Sequence, residues 1–410
     1  MRVLHLNTHA SGGSYEYAAL LSTGLAELGI GSDVVCKNSP SAESGRPFLD
    51  RIIRRSYVSL STEPWHGTRR FLSPPPPEDL DGIDVVHLHT VADWFDVPRW
   101  LEMLPRRMGV VISLHDMWHV TGGCFLYRGC DRYANQTCDP CPILKWPANR
   151  FLAKAAHSRK LQTYRHCAAR MVANSQWLAE VAATSPIAKA CGGVRVIPPG
   201  IDTTVFKPQD KNLCRKPLEL PADAFVIVTG GASLTDANKN VPWLFEQLSH
   251  LPDLRGIVVV AFGEGAVAVP DGLNVRFTGG IRERADVARL FAAADVFVSA
   301  SLMETYGLTL VEAMACGTPV VAFRVGGVPE AAPHGQGAIL CGSQDGVALT
   351  EAIIKLRNLA QLRERLADAG RDMVHVRNRL SSFSGLFAEI YRECVSSREN
   401  AQRKQSALAT

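Results

Sequence analysis

Two glutamates, Glu304 and Glu312, bracket Gly307 where an apolar run (Val296–Ala300) gives way to a helical pattern opening near Thr309. Carboxylates accept hydrogen bonds from vicinal hydroxyls, so sugar and ribose rings suit such a pair. Amides left without partners at a helix N-terminus, exposed by a glycine turn, bind phosphate oxygens. A loop acid, a set of amides and an acid one turn into the helix would therefore match a sugar, a diphosphate and a ribose. Standing alone, the same glutamates also fit a solvated loop acid and a helix-start acid favoured by the dipole. A departing diphosphate gathers negative charge that a nearby cation stabilises; Lys239, in the loop after Phe225–Thr229, is a candidate for it or a solvated loop lysine. Glu264 follows the run Gly256–Phe262 and is expected to contact a nucleotide or Lys239, or to serve only as a turn acid.

In the first half, His89 closes the run Asp84–His89, and His115, followed by Asp116, closes Val110–His115. An imidazole at a strand end can bond a hydroxyl and move a proton near neutral pH. His115 is thus a candidate catalytic group, with His89 and Asp116 as candidate acceptor contacts; satisfied histidines at a sheet edge are the alternative. Cys124, Cys130, Cys138 and Cys141 then fall within eighteen residues, the last two as a Cys-x2-Cys pair. Such spacing can surround a tetrahedral zinc, and four thiolates leave no open position, so a structural zinc is expected, with free thiols as the alternative. From Lys145 to Arg170 the chain carries seven cations and no acid, interleaved with Trp146, Phe151, Leu152, Leu161 and Tyr164. A helix of this kind rests on an anionic membrane surface or packs on its own sheet.

These groups need a scaffold that puts strand ends together. Short apolar runs recur at Val3–Leu6, Asp33–Cys36, Asp84–His89, Val110–His115, Met171–Ala173 and Val194–Ile197, then at Phe225–Thr229, Gly256–Phe262, Val275–Thr278, Val296–Ala300, Pro319–Phe323 and Ala338–Leu340. Helical patterns fall between them at Tyr15–Leu28, Lys154–Cys167, Asn240–Leu248, Arg284–Ala294, Thr309–Cys316 and Thr350–Ala369. Continuous apolar strands alternating with helices predict α/β domains with parallel sheets covered on both faces, whose sites lie at the carboxyl ends of the strands. Ile201–Pro221, with three prolines, reads as the connection between two domains, residues 1–200 and 222–380; the four-cysteine insert spans 120–145. Ser73–Pro77 reads as a surface loop, Phe383–Cys394 as a helix, and the tail after about Ser396 as frayed.

A length of 410 residues suits two domains, and 46% hydrophobic residues give each a core. The +4 charge is not gathered into one tract, so nucleic acid is not an expected partner. No apolar stretch reaches the ~20 residues of a membrane span. The start, Met1–Leu6, reads as a strand and not a secretory signal, so the expected location is the cytoplasm, with contact at the inner face of the membrane through the basic segment. Eleven cysteines in that compartment fit reduced thiols or a metal site rather than a disulfide framework.

The stretch Ser301–Val321, with Glu304, Gly307, Glu312, Gly317 and Pro319, closely resembles the Glu-x7-Glu signature of retaining glycosyltransferases of family 4, which have the GT-B fold. Gly12-Gly13-Ser14 resembles the family's first glycine loop, and Val196–Thr203 with Phe206 and Pro208 its domain junction. Phe277–Gly279 with Leu290–Val296 is similar to the strand and helix before the signature, and Gly326–Glu330 to the segment after it. The resemblance covers most of residues 1–340 and implies two Rossmann-like domains facing a central cleft, the first binding acceptor and the second binding a nucleotide-sugar donor. It further implies that Glu304 contacts hydroxyls of the transferred sugar, that Glu312 binds the ribose, and that the backbone of Gly307, Leu308 and Thr309 holds the diphosphate. Gly13 and Lys239 would also serve the donor, and His115 the donor sugar or the acceptor. The chain departs from the family at Ala232-Ser233, where an arginine is usual, and at Asn240, where glycine is usual.

By the same resemblance the C-terminal helix at 381–396 crosses back to the first domain, and the cysteine insert marks a branch of the family. The implied reaction moves a hexose or deoxyhexose, with retention, to a glycan or lipid-linked oligosaccharide in cell-surface polysaccharide (exopolysaccharide) synthesis, with no cofactor for catalysis. A nicotinamide-dependent oxidoreductase is disfavoured, because Gly12-Gly13 lacks a third spaced glycine and no acid follows Cys36-Lys37. A non-catalytic nucleotide-sugar-binding protein and a sugar-phosphate synthase of the same fold stay open.

Overall fold

A computed structural model describes residues 1–37, 66, 80–126, 129–135 and 137–409, with side chains through Arg398. The chain divides into two units, Met1–Pro198 with Ser381–Thr410, and Pro199–Leu380. All twelve apolar runs become strands. They are β1 (Arg2–Asn7), β2 (Gly31–Cys36), β3 (Val85–Leu88), β4 (Gly109–Leu114), β5 (Arg170–Ala173), β6 (Val194–Val196), β7 (Phe225–Ser233), β8 (Ile257–Glu264), β9 (Val275–Gly279), β10 (Val296–Ser299), β11 (Val320–Phe323) and β12 (Ala338–Cys341).

Among the described residues the helices are α1 (Gly13–Glu27), α2 (Val97–Met103), α3 (Arg132–Asn135), α4 (Leu152–His166), α5 (Gln176–Ala183), α6 (Pro186–Ala190), α7 (Lys211–Arg215), α8 (Val241–Ser249), α9 (Arg284–Ala293), α10 (Leu308–Ala315), α11 (Val328–Ala331), α12 (Gly346–Asn358), α13 (Ala360–Arg377) and α14 (Leu380–Ala409).

Each unit holds one six-stranded parallel sheet, ordered β2-β1-β3-β4-β5-β6 in the first and β12-β11-β10-β7-β8-β9 in the second. In both, the strand order reverses beside the unit's first strand, which opens a crevice at its carboxyl end. β3, β4 and β11 are buried at every position, which is why their sequences run apolar without alternation. Among the described residues, no helix is long and apolar enough to cross a membrane.

Three segments differ from their sequence-based reading. Ile201–Pro221 does not run free: Ile201, Phe206, Cys214 and Leu220 sit in the second unit's core. Buried Arg215 fixes it there, bonding the Ala293 carbonyl at 3.0 Å and Asp295 at 2.7 Å. The helix read over Thr350–Ala369 breaks at Leu359, whose backbone (φ −112, ψ 83) leaves the helical region and separates α12 from α13. The tail read as frayed after Ser396 continues as α14 to Ala409. Within the first unit, α14 packs Phe383 and Phe387 edge-on against Tyr17, and Glu393 pairs with Arg195 at 2.6 Å. The Ser73–Pro77 loop lies outside the described residues.

Candidate functional site

In the second unit, β7 and β10 are neighbours at the reversal point, and the loops leaving them are sewn together. Leu302 donates its amide to the Asn238 carbonyl at 2.8 Å, and the Asn238 side chain returns a bond to the Met303 carbonyl at 2.8 Å. This tie brings the Lys239 ammonium to 2.6 Å from Glu304 Oε1. Burial opposes the lysine charge, and the Glu304 carboxylate outweighs it, so Lys239 is held above its ordinary range. The Glu304 backbone is pinned from the other side: its carbonyl accepts from Gly327 at 2.9 Å, and a Cβ on Gly326 would stand 2.0 Å from it.

Gly307 ends this loop at φ +98, where an added Cβ would meet Leu310 at 2.7 Å, so only glycine turns the chain into α10 here. The amides of Leu308 and Thr309 open that helix and have no acceptor among the described residues, a ready anion-binding end. Glu312 lies further along α10 and is 2% exposed. Its carboxylate is held at 2.5 Å by Arg284, from the start of α9, whose guanidinium stacks on Phe206 at 4.6 Å. Nothing in the spacing of the sequence pointed to Arg284, because its partner is twenty-eight residues away. Glu264 ends β8 exposed and rests against Gly280. Its expected bond to Lys239 is not formed: the ammonium faces Glu304.

The first unit carries a buried stack of imidazoles. His5 and His87 stand at the same level of β1 and β3. His5 Nδ1 meets His89 Nε2 at 3.0 Å, and His89 Nδ1 meets His115 Nε2 at 3.0 Å. His89 is fully buried with both ring nitrogens spent on other histidines, which corrects its reading as an acceptor contact. His115 is the half-buried end of this chain, edge-on to Tyr17 of α1 at 4.7 Å. Burial lowers its pKa to about 3, so the ring is neutral near pH 7. Asp116 accepts from the Trp118 amide at 2.7 Å, and burial raises its pKa to about 6. Gly13 opens α1 after Gly12, which takes φ +88.

His5, His87 and His89 are close enough to hold a metal among themselves. However, His87 bonds Tyr391 at 2.7 Å and Ser113 at 2.8 Å, so its nitrogens are already used. A histidine recurring inside apolar runs of adjacent strands was the available signal for this stack. The four cysteines of the insert line one small cavity of about 20 Å³ and are free thiols.

The basic segment is less outward-facing than its composition suggested. Arg159 pairs with buried Asp96 at 2.7 Å, and Lys160 is fully buried. Trp146 and Phe151 remain exposed, at 79% and 53%.

Both units are similar to known proteins. Residues 11–205 match the family model described as Glycosyltransferase Family 4, and residues 224–358 match that of Glycosyl transferases group 1. Each unit thus matches the model of a glycosyltransferase domain. Curated relatives include the D-inositol 3-phosphate glycosyltransferases of Mycobacterium tuberculosis and Mycobacterium bovis, 38% identical over 165 residues, which is 37% of this chain and 34% of theirs. The chain thus spans about a third of the length of the curated relatives it matches.

Among solved structures, sucrose-phosphate synthase from Thermosynechococcus elongatus superposes with a TM-score of 0.65 at 18% identity, over 97% of this chain and 99% of that one. A glycosyltransferase from Rickettsia africae gives 0.64 at 15% identity, over 96% and 98%. Anabaena HepE in complex with UDP-glucose gives 0.60 at 16%, over 96% and 100%. The two glycosyltransferase domains therefore form the two-domain α/β GT-B fold.

Proposed function

We propose that the chain transfers a hexose or deoxyhexose from a nucleoside-diphosphate sugar to a glycan or lipid-linked oligosaccharide, with the anomeric configuration retained, in cell-surface polysaccharide synthesis. The observation that carries this reading is the Lys239–Glu304 pair beside the two open amides of α10. The amides would receive the diphosphate. Lys239 would shift part of its bonding from Glu304 to the leaving phosphate as charge builds there. Glu304, so released, would accept hydrogen bonds from the sugar hydroxyls, while Glu312, steadied by Arg284, would take the ribose. The UDP-glucose complex of HepE makes a uridine donor the first to try.

In the first unit, His115 would contact the sugar or acceptor as a neutral imidazole, with Asp116 beside it. Trp146 and Phe151, with exposed Arg150 and Lys154 nearby, support peripheral contact with an anionic membrane at its cytoplasmic face. Recruitment to vesicles rich in anionic lipid at low salt, lost in a Trp146→Ala/Phe151→Ala variant, tests that contact.

The donor test is a thermal-shift screen of UDP-, GDP- and ADP-sugars, since a ligand bound only by the folded chain raises its Tm. One donor class should raise the Tm, and Glu312→Ala should abolish the shift. If no nucleotide sugar shifts the wild-type chain, the transferase reading fails.

A further inference from the structure

The described residues of 116–151 follow β4 with no strand and only three short helical turns, Trp118–Val120, Arg132–Asn135 and Ala148–Arg150. A stretch this long and irregular is uncommon inside a compact domain and needs another source of order. Yet it is not a surface excursion: Trp118, Val120, Tyr133, Cys138, Cys141 and Leu144 all belong to the first unit's core.

We propose that Cys124, Cys130, Cys138 and Cys141 bind one zinc ion in an all-thiolate structural site that holds this insert together. All four line the same cavity. Backbone donors are aimed at its sulfurs: the Gly122 amide reaches Cys138 Sγ at 3.1 Å, and the amides of Ile143 and Leu144 point at the Cys141 sulfur. A neutral thiol is a weak acceptor, whereas a thiolate takes several such bonds.

Charge supplies an independent argument. Lys160 is fully buried, yet it makes no ion pair among the described residues. Its ammonium bonds the carbonyls of Trp118 at 2.5 Å and Thr121 at 3.1 Å, and lies 3.6 Å over the Trp118 ring. Burial works against its charge, and Cys138, Asp116 and Cys124 are the groups that support it. A cation buried among carbonyls and one aromatic ring, with no anion paired to it among the described residues, is costly. Zinc with four thiolates carries a formal double negative charge, which Lys160 and Arg132, bonded to the Pro140 carbonyl, would balance.

No three of the sulfurs lie within 4.8 Å of one another, while Zn–S bonds of ~2.3 Å place sulfurs roughly 3.8 Å apart. Metal entry therefore draws the loops inward, and the four thiols release their protons to solvent as it binds. With four thiolates no coordination position is open, so the site is structural and independent of the transferase reading.

Elemental analysis of the purified full chain, backed by cobalt reconstitution, is the test. The expected result is one zinc per chain, released by a mercurial reagent, and near zero in a Cys138→Ser/Cys141→Ser variant. Because that variant can misfold, wild-type chain stripped by chelator is refilled with Co2+. One equivalent should bind with a sulfur-to-metal charge-transfer band, and stripping should lower the Tm. A metal-free chain that takes up no Co2+ would overturn the proposal, and so would a Cys124–Cys141 disulfide in non-reduced peptides.

Discussion

Lys239 and Glu304 meet because two loops are tied by the Asn238 side chain, and each charge is the other's main partner in the free chain. Replacing Lys239 with Ala removes the cation proposed for the leaving group and leaves Glu304 half-buried without its partner. We expect kcat/KM to fall about 100- to 1,000-fold, mostly in kcat, by steady-state kinetics with the identified donor. An unchanged kcat would remove Lys239 from the reaction. Arg284→Ala should instead act on donor binding, since it strips the guanidinium from the buried Glu312 carboxylate. Isothermal titration should show a weaker Kd with the ring stack at His115 untouched. At this scale Glu304, Glu312 and Lys239 stood out in the sequence through their resemblance to a family signature, since each of them alone also reads as a solvated group. Arg284 and the true partners of His89 were hidden, since both depend on which distant segments fold together.

The element that most depends on one residue is α10. Gly307 gives it a start that no side chain fits, so Gly307→Ala combines a left-handed backbone with a contact to Leu310. A loss of about 1–3 kcal/mol in urea unfolding is expected, together with loss of the donor thermal shift. Retention of both would mean that the turn adapts freely and that α10 does not present its amides as described. Strands were legible as twelve apolar runs because both faces of each sheet are covered. Helix ends were not: the break at Leu359 separates two stretches of the same helical composition, and α7 is ordered by Arg215 and Asp295, which lie far apart in sequence.

Acidification should unfold the two units at different pH. Burial holds His5, His115 and His119 at a pKa of about 3 and His157 at about 4, and drives His87 and His89 well below 6.5. Because these folded values are depressed, the unfolded chain binds more protons below pH 6.5. The stability is present above that pH and lost as it falls, by up to ~1.4 kcal/mol per histidine per pH unit. Asp116, raised to about 6, acts oppositely, favouring the folded state below its ordinary value of 3.8 and losing that contribution as pH rises through 6. Six groups against one leave acid unfolding of the first unit dominant. Circular dichroism and calorimetry from pH 7 to 4 should show it melting with proton uptake before the second; a Tm that stays level to pH 5 contradicts this.

The first unit is also completed last. Its core needs Phe387 and Tyr391 of α14, which follow the whole second unit in the chain. During synthesis, residues 1–198 emerge from the ribosome early but must wait, unfinished, while 199–380 are made and fold. Newly made N-terminal chain is therefore the stretch most in need of a chaperone, and a stop codon near 380 would spoil the opposite end of the molecule from the one it shortens.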